Sequence, residues 1–421
     1  MKNEPQLNGS DYLMLGFDYE LRRRGYAGNS CQIILELDAP ISAEALNSRL
    51  SDLVNRYPIL AARPGGIIFP KWKLPRRAAP SSVREHRESS GLREKISDTP
   101  LATDDGENFR FDLVSCNDGR MEIIFTWAHA LMDANSAEHF LAVVGRADVL
   151  LPALAPPPPR KKKPLKERFQ LARKSILQLD EFLKNQPHTV GVRFSNAPTV
   201  QRFHVEKFST EETARIRANG IGLCGLLGDA QFHAAISMVE LHRLHQRIGC
   251  PSPSYVLPVP VGLRPKGSVE PLFSNQITML MTQFLPAQLA TVAEAVAVLK
   301  AQTAQALRSG LIESGVLLAE LARVLPLRPY VALIKHGLRG EICSFFFGNT
   351  AAVTPLLTTF FSATITDFTH VGATTPSPGI GAIFYYFHGT LRFTVLHLEP
   401  HFSAAEAKEF STNLRERLLN P

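Results

Sequence analysis

The residues best suited to do chemistry are His129 and Asp133, in the segment His129-Ala-Leu-Met-Asp133. An imidazole with an ordinary pKa near ~6.5 is neutral and basic at neutral pH, so it can take a proton from an attacking hydroxyl or amine. Direct acyl transfer from a thioester needs such a base, together with a hydrogen-bond donor for the oxyanion that forms. His129 is the candidate base, and the sequence singles out no oxyanion donor. Asp133 admits two roles. It can cap a helix N-terminus, or it can be a buried carboxylate, which needs a cationic partner because an unpaired buried charge is costly. With 13 histidines in 421 residues, roughly 0.4 matches to this spacing arise by chance, so the surrounding elements must carry the reading.

Those elements are legible. Phe109, Phe111 and Leu113 alternate with polar residues, Asp118-Gly119 supplies a turn, and Met121 to Trp127 returns as a second strand. The strand runs out at Ala128, and Asn135 or Ser136 offers an N-cap for a helix through Val144. His129 and Asp133 thus fall on a strand-to-helix junction, where rigid elements can present side chains into a cleft. Upstream, Ile33 to Leu37 reads as a strand. Ser42 then caps a helix whose Leu46, Leu50, Leu53, Val54 and Tyr57 share a face, and Pro58 ends it. Residues 63–108 read as irregular connections.

Downstream, residues 169–186 look helical, and Asp229 is expected to cap a helix bearing Phe232, Ile236, Val239 and Leu244, with His233 on the same helix. Tyr255 to Val261 and Gln276 to Phe284 read as strands, and Pro286 starts a long alanine-rich helix to about Arg308. Ala382–His388 and Leu391–Leu398 form a second hairpin around Gly389, and Ser403-Ala-Ala-Glu406 is a capping box. Both halves mix helices with antiparallel hairpins. The expected fold class is therefore α+β with two lobes of similar build: 1–151 as the first, 152–168 as a Pro-rich basic linker and 169–421 as the second.

Several chemistries are disfavoured. Five scattered cysteines form no C-x-x-C pair, which points to reduced thiols in a cytoplasmic setting and to no structural zinc. His242 and His245 lack a matching carboxylate or cysteine set and read as surface or partly packed residues, so no metal is expected. No Walker-type loop, dinucleotide loop or G-x-S-x-G elbow occurs. The polar start has no secretory h-region. Residues 342–366 carry no charge, but their β-branched and aromatic content fits buried strands better than a membrane helix. Much of the net charge of +7 sits in Arg160-Lys-Lys-Lys-Pro-Leu-Lys-Glu-Arg168. This run reads as a solvated linker, with contact to anionic lipid at the membrane periphery or to the phosphates of a nucleotide-bearing donor as the sharper reading. No nucleic-acid module accompanies it.

The stretch Phe125-Thr-Trp-Ala-His129-Ala-Leu-Met-Asp133-Ala resembles the active-site segment of the condensation-domain superfamily of CoA-dependent acyltransferases. Other stretches are similar in order and spacing. Leu7-Asn-Gly-Ser-Asp11 resembles the amino-terminal signature of the bacterial wax ester synthase/diacylglycerol acyltransferase branch, and polyketide-associated acyltransferases are also near in flavour. Leu53-Val-Asn-Arg-Tyr-Pro-Ile-Leu60 resembles the end of the family's first helix. Leu257-Pro-Val-Pro-Val-Gly-Leu-Arg264 with Phe273-Ser-Asn275-Gln276 resembles its strand–Arg–Asn segment.

The resemblance implies two chloramphenicol-acetyltransferase-like lobes with a channel at their interface, His129 midway along it as general base, Asp133 structural and Arg264 its partner. Asn275, Trp127 and Ala134 would line the substrate site. It implies an acyl donor on CoA or a carrier protein as co-substrate, an alcohol or amine acceptor that the apolar composition leans toward lipid, and no prosthetic group. Two departures stand out. Ala128 replaces a second histidine before the motif, and Ala134 replaces the glycine after it, where it is expected to crowd the turn. They motivate the alternative of a catalytically inactive relative that binds a carrier protein or lipid as a scaffold.

Overall fold

The computed structural model describes residues 4–66, 69–75, 82–146, 148–149, 163–189, 200–226, 228–337, 343–353 and 355–421. In chain order the first part carries α1 (Gly9–Arg23), β1 (Ser30–Leu37), α2 (Ala43–Arg56), β2 (Arg63–Gly65), β3 (Lys71–Lys73) and β4 (Val83–Arg87). It continues with α3 (Leu92–Ser97), β5 (Phe109–Ser115), β6 (Met121–Ala128) and α4 (Ala134–Gly145). The second part carries α5 (Leu165–Lys184), β7 (Val200–Lys207), α6 (Thr210–Cys224), α7 (Asp229–Arg247), β8 (Tyr255–Gly262) and β9 (Ile277–Phe284). There follow α8 (Val292–Ser309), α9 (Leu311–Ala322), α10 (Leu327–Gly337), β10 (Phe346–Ala352), β11 (Thr359–Phe360), β12 (Ala363–Val371), β13 (Ile380–Phe387), β14 (Thr390–Glu399) and α11 (Ala404–Leu419).

Two mixed sheets result, as the hairpin pattern leads one to expect. One has the order β11-β12-β1-β6-β5-β4, the other β10-β13-β14-β7, and β8 and β9 pair separately. Each sheet backs its own apolar core. Leu35, Leu53, Phe111, Phe125 and Phe140 belong to the first; Phe232, Val239, Tyr255, Phe284 and Phe393 belong to the second. The hairpin turns take the geometry their residues allow. Gly119 has φ +86°, and His388-Gly389 has φ +49° and +80°, the paired positive values of a two-residue turn that matches strand twist.

The division of the chain is less linear than its composition suggests. Residues 152–162 of the expected linker lie outside the described residues, and from Leu165 on the chain is already in α5. β11 and β12 come from beyond residue 169, yet they complete the first sheet, with Phe368 opposite Leu35. A second segment crosses the other way. Between β8 and β9 the chain carries Leu272 and Phe273 into the first core, where the Phe273 ring lies 5.9 Å from Tyr57 and 6.1 Å from Phe140. Burying each such side chain stabilises by about 1.5–3 kcal/mol, so this segment is anchored. Asp367 on β12 pairs with Lys207 on β7 and Arg392 on β14, tying the sheets together.

Several local expectations are corrected. The polar residues that alternate along β5, Arg110 and Asp112, are themselves buried and pair at 2.7 Å, and Arg110 also donates to the Ile96 carbonyl of α3. The cap of α7 is Gly228, and Asp229 instead accepts from the Tyr386 hydroxyl at 2.8 Å. His233, His242 and His245, expected at the surface or partly packed, are buried, since α7 packs into the second core. Pro286 opens a short 3-10 turn, and the alanine-rich helix starts at Val292 behind a Thr291/Glu294 capping box. The described part of 342–366 is strand and turn, and no described helix is long and apolar enough to cross a membrane.

Helix α1 packs closely on α9. A Cβ placed on Gly9 would stand 2.6 Å from the Ala319 carbonyl carbon and 2.7 Å from the Glu320 nitrogen. Gly9→Ala is expected to cost about 1–3 kcal/mol through backbone displacement, seen as a lower denaturant midpoint at unchanged slope. A midpoint equal to the parent's contradicts this close approach.

Candidate functional site

The site is built where β6 gives way to α4. The last strand amide, of Ala128, donates to the Asn108 carbonyl at 2.8 Å, and the His129 amide donates to the Asn29 carbonyl at 3.0 Å. The Leu131 amide turns back to the Ala128 carbonyl at 2.9 Å. Leu131 and Met132 enter the first core. The Trp127 indole N–H donates to the Met132 carbonyl at 3.0 Å, closing the turn from beneath. With both ends hydrogen-bonded and its apolar residues buried, the turn has little freedom to rotate His129.

Asp133 fills both roles left open by the sequence. It is the N-cap of α4, two or three residues ahead of the expected Asn135 or Ser136, and its Oδ1 accepts from the Ser136 amide at 3.1 Å. Its Oδ2 accepts from Arg264 Nη1 at 2.6 Å and from the Gln276 amide at 3.0 Å. The Arg264 Nη2 donates to Ser136 Oγ at 2.7 Å and to the Pro271 and Ser274 carbonyls at 2.9 and 3.1 Å. A planar five-donor fork serves several acceptors in one fixed geometry, where a lysine offers three donors on a single nitrogen. Both terminal nitrogens of Arg264 and both Asp133 oxygens are thus hydrogen-bonded, which a buried ion pair needs if it is to hold.

Asn275 sits on the same crossing segment. Its Nδ2 donates to the His129 carbonyl at 2.8 Å and to Asp11 Oδ1 at 3.0 Å, and its amide donates to Asp11 Oδ1 at 2.6 Å. His129 is therefore held from β6, from α1 and from the β8–β9 crossing. The residue is half-buried, while its Nδ1 is enclosed without a hydrogen-bond partner. Burial lowers the imidazole pKa below its ordinary 6.5; the opposing influences, its own carbonyl, the Asp133 charge and the Asn275 side chain, are smaller. The ring is neutral near pH 7, the state a general base requires.

The structure brings His129, Asp133, Arg264 and Asn275 together, but it corrects what two neighbours do. Trp127 is only 1% exposed and stacks on Phe125 with ring centroids 5.3 Å apart, so it is a core support and not a substrate contact. Asn275 is fully buried and reaches the site only through His129. Ala134 is the half-buried first residue of α4 and is absent from the residues with left-handed backbone, so the turn does not require a glycine there. Sequence reasoning gave no site role to Asp11, whose Asn8-x-x-Asp11 pattern looks like any helix start, to Ser136, read only as a cap candidate, or to Gln276.

No family model matches the sequence, and no curated protein matches it. Solved structures do. The first condensation domain of the CDA synthetase superposes with a TM-score of 0.71 at 13% identity, covering 100% of this chain and 97% of that one. A trichothecene 15-O-acetyltransferase from Fusarium sporotrichioides superposes with a TM-score of 0.71 at 13% identity, covering 98% and 95%. The condensation domain of the monacolin K polyketide synthase gives 0.63 at 14% identity, covering 99% and 98%. The chain has the two-lobe fold of condensation domains along its whole length.

Removing the charge from Asp133 while keeping its shape isolates the bridge. Asp133→Asn leaves Arg264 buried without its counter-ion and is expected to destabilise by about 3–5 kcal/mol. An unchanged melting temperature in that variant would mean the bridge holds nothing.

Proposed function

We propose that this protein is an acyltransferase that moves an acyl group from a CoA or carrier-protein thioester to an alcohol or amine, with His129 as general base. The observation that carries this reading is the half-buried, neutral imidazole of His129, fixed where the two lobes meet. In the reaction the acceptor oxygen or nitrogen forms a bond to the thioester carbonyl carbon as its proton passes to the imidazole. The tetrahedral intermediate then collapses, the C–S bond breaks, and the imidazolium returns the proton to the departing thiolate. Nδ1 is enclosed, so the proton moves on and off Nε2. Asp133 and Arg264 contribute by holding the turn and touch no substrate. The likeness in fold to an O-acetyltransferase and to condensation domains supports both ester and amide formation, and a carrier protein as donor.

The alternative of an inactive scaffold was motivated by Ala128 and Ala134. Neither carries backbone strain, and Ala128 completes the β6 pairing opposite Ser30. Neither alanine therefore imposes a left-handed backbone beside His129, which supports the enzyme reading. The experiment is release of thiol from acyl-CoA with and without an added long-chain alcohol or amine. Acceptor-dependent release that falls by about 10²–10⁴ in His129→Ala supports the proposal; equal rates in parent and variant sink it.

The pH dependence gives a second check. Only the neutral ring accepts a proton, and burial holds its pKa below 6.5. The rate kcat/KM is therefore expected to stay flat from the alkaline side down past 6.5 and to fall only at more acidic pH. An acid limb centred above about pH 7 contradicts the neutral buried base.

A further inference from the structure

The charge of this protein is concentrated in one stretch. Residues 160–177 hold eight basic residues and one acidic residue, a net of +7. The whole chain also carries +7, so the remainder balances at 38 basic and 38 acidic residues. From Leu165 on, the stretch is the first part of α5. The same part of α5 leaves its large apolar residues in water: Leu165, Phe169, Ile176 and Leu177 are between 52% and 60% exposed. Scattered singly such residues mean little, but gathered into a patch they mark an interaction site.

Helical geometry gathers them. At 3.6 residues per turn, Leu165, Phe169 and Ile176 fall within about 40° of one another and run for about 16 Å along the helix. Lys166 and Arg173, both exposed, stand in the row beside this stripe. The helix packs through another face, where Ala172 and Ser175 are buried and Ser175 Oγ lies 2.7 Å from Ser314 Oγ on α9. The one acidic residue of the run, Glu167, pairs with Lys163, which also pairs with Glu313. Lys166 and Arg173 make no salt bridge with a described residue. Asp180 and Glu181 end both the stripe and the basic run. Beside α5, the end of α8 exposes Leu307, and the Ser309 carbonyl there accepts from Lys174 at 2.9 Å.

We infer that this face of α5 docks on an anionic phospholipid bilayer, with Leu165, Phe169 and Ile176 entering the headgroup boundary and Lys166 and Arg173 meeting the lipid phosphates. An apolar stripe edged with basic residues is what a helix lying in a bilayer interface presents. Nucleic acid would use the cations but leave the stripe in water. A second copy of the chain would bury the stripe but bring two runs of +7 together, which like-charge repulsion opposes. A bilayer containing acidic lipid serves both halves of the pattern, since its surface attracts Lys and Arg while its interior takes up apolar side chains. This docking does not depend on acyl transfer, because α5 carries none of the residues around His129.

The test is co-sedimentation of the full-length protein with vesicles of phosphatidylcholine alone and of an equal mixture of phosphatidylcholine and phosphatidylserine. Binding to the mixed vesicles is expected, with little to the neutral ones and a decline as salt is raised. Phe169→Ser/Ile176→Ser and Lys166→Glu/Arg173→Glu change exposed residues. Both are expected to keep the parent's melting temperature and to weaken binding by at least about tenfold. Phe169→Trp is expected to shift its emission to the blue on the mixed vesicles, against a constant background from Trp72 and Trp127, which are already buried. A protein that stays in solution with the mixed vesicles overturns the docking. A folded variant that binds like the parent rejects the role of the residues it changes. A dimer in vesicle-free solution that Phe169→Ser/Ile176→Ser dissociates assigns the stripe to a second copy instead.

Discussion

The Asp133 carboxylate is the point on which the rest of the molecule depends. One oxygen caps α4 and so decides where the strand-to-helix turn ends; the other binds Arg264 and the Gln276 amide on a segment from the far side of the chain. Removing either partner of such a buried pair leaves an uncompensated charge, which is costly. Each lobe thus carries half of a pair that only the other lobe can complete. This makes lobe docking and formation of the His129 turn a single event.

Burial around that pair reinforces it. Leu272 and Phe273 lie in the first core, Asp367 reaches Lys207 and Arg392 between the sheets, and α1 lies against α9 with only a glycine between backbones. The apolar contacts supply affinity without direction. The ionic and hydrogen-bonded contacts add direction, because a shift of one residue in the crossing segment would leave Arg264 and Asn275 facing the wrong partners. The same enclosure keeps the His129 ring neutral by removing solvent from the charged form. The forces that assemble the lobes therefore also set the basicity of the candidate base.

Much of this was legible in the chain itself. The hairpin at Asp118-Gly119, the α2 face of Leu46, Leu50, Leu53 and Val54, the capping box at Ser403 and the strand content after residue 342 follow from local periodicity and turn chemistry, which act over a few residues. His129 and Asp133 were readable from their place between a strand and a helix. Two readings failed for want of the tertiary structure: Trp127 was expected to face substrate, and the α7 histidines to be at the surface or partly packed, and each lies in the interior. Local pattern tells which residues share a face; it does not tell whether another layer covers that face.

By itself, the sequence determined the element types, the α+β two-lobe character and the identity of the candidate base, because propensity, patterning and spacing are properties of neighbouring residues. Only the tertiary structure decided that Asp133 serves as cap and bridge at once, that Asn275 is a buried support, and that Asp11 reaches His129 through it. Those facts join residues more than a hundred positions apart. The free energy that pairs them comes from desolvation at a shared interface, and that interface exists only once both lobes are closed around it.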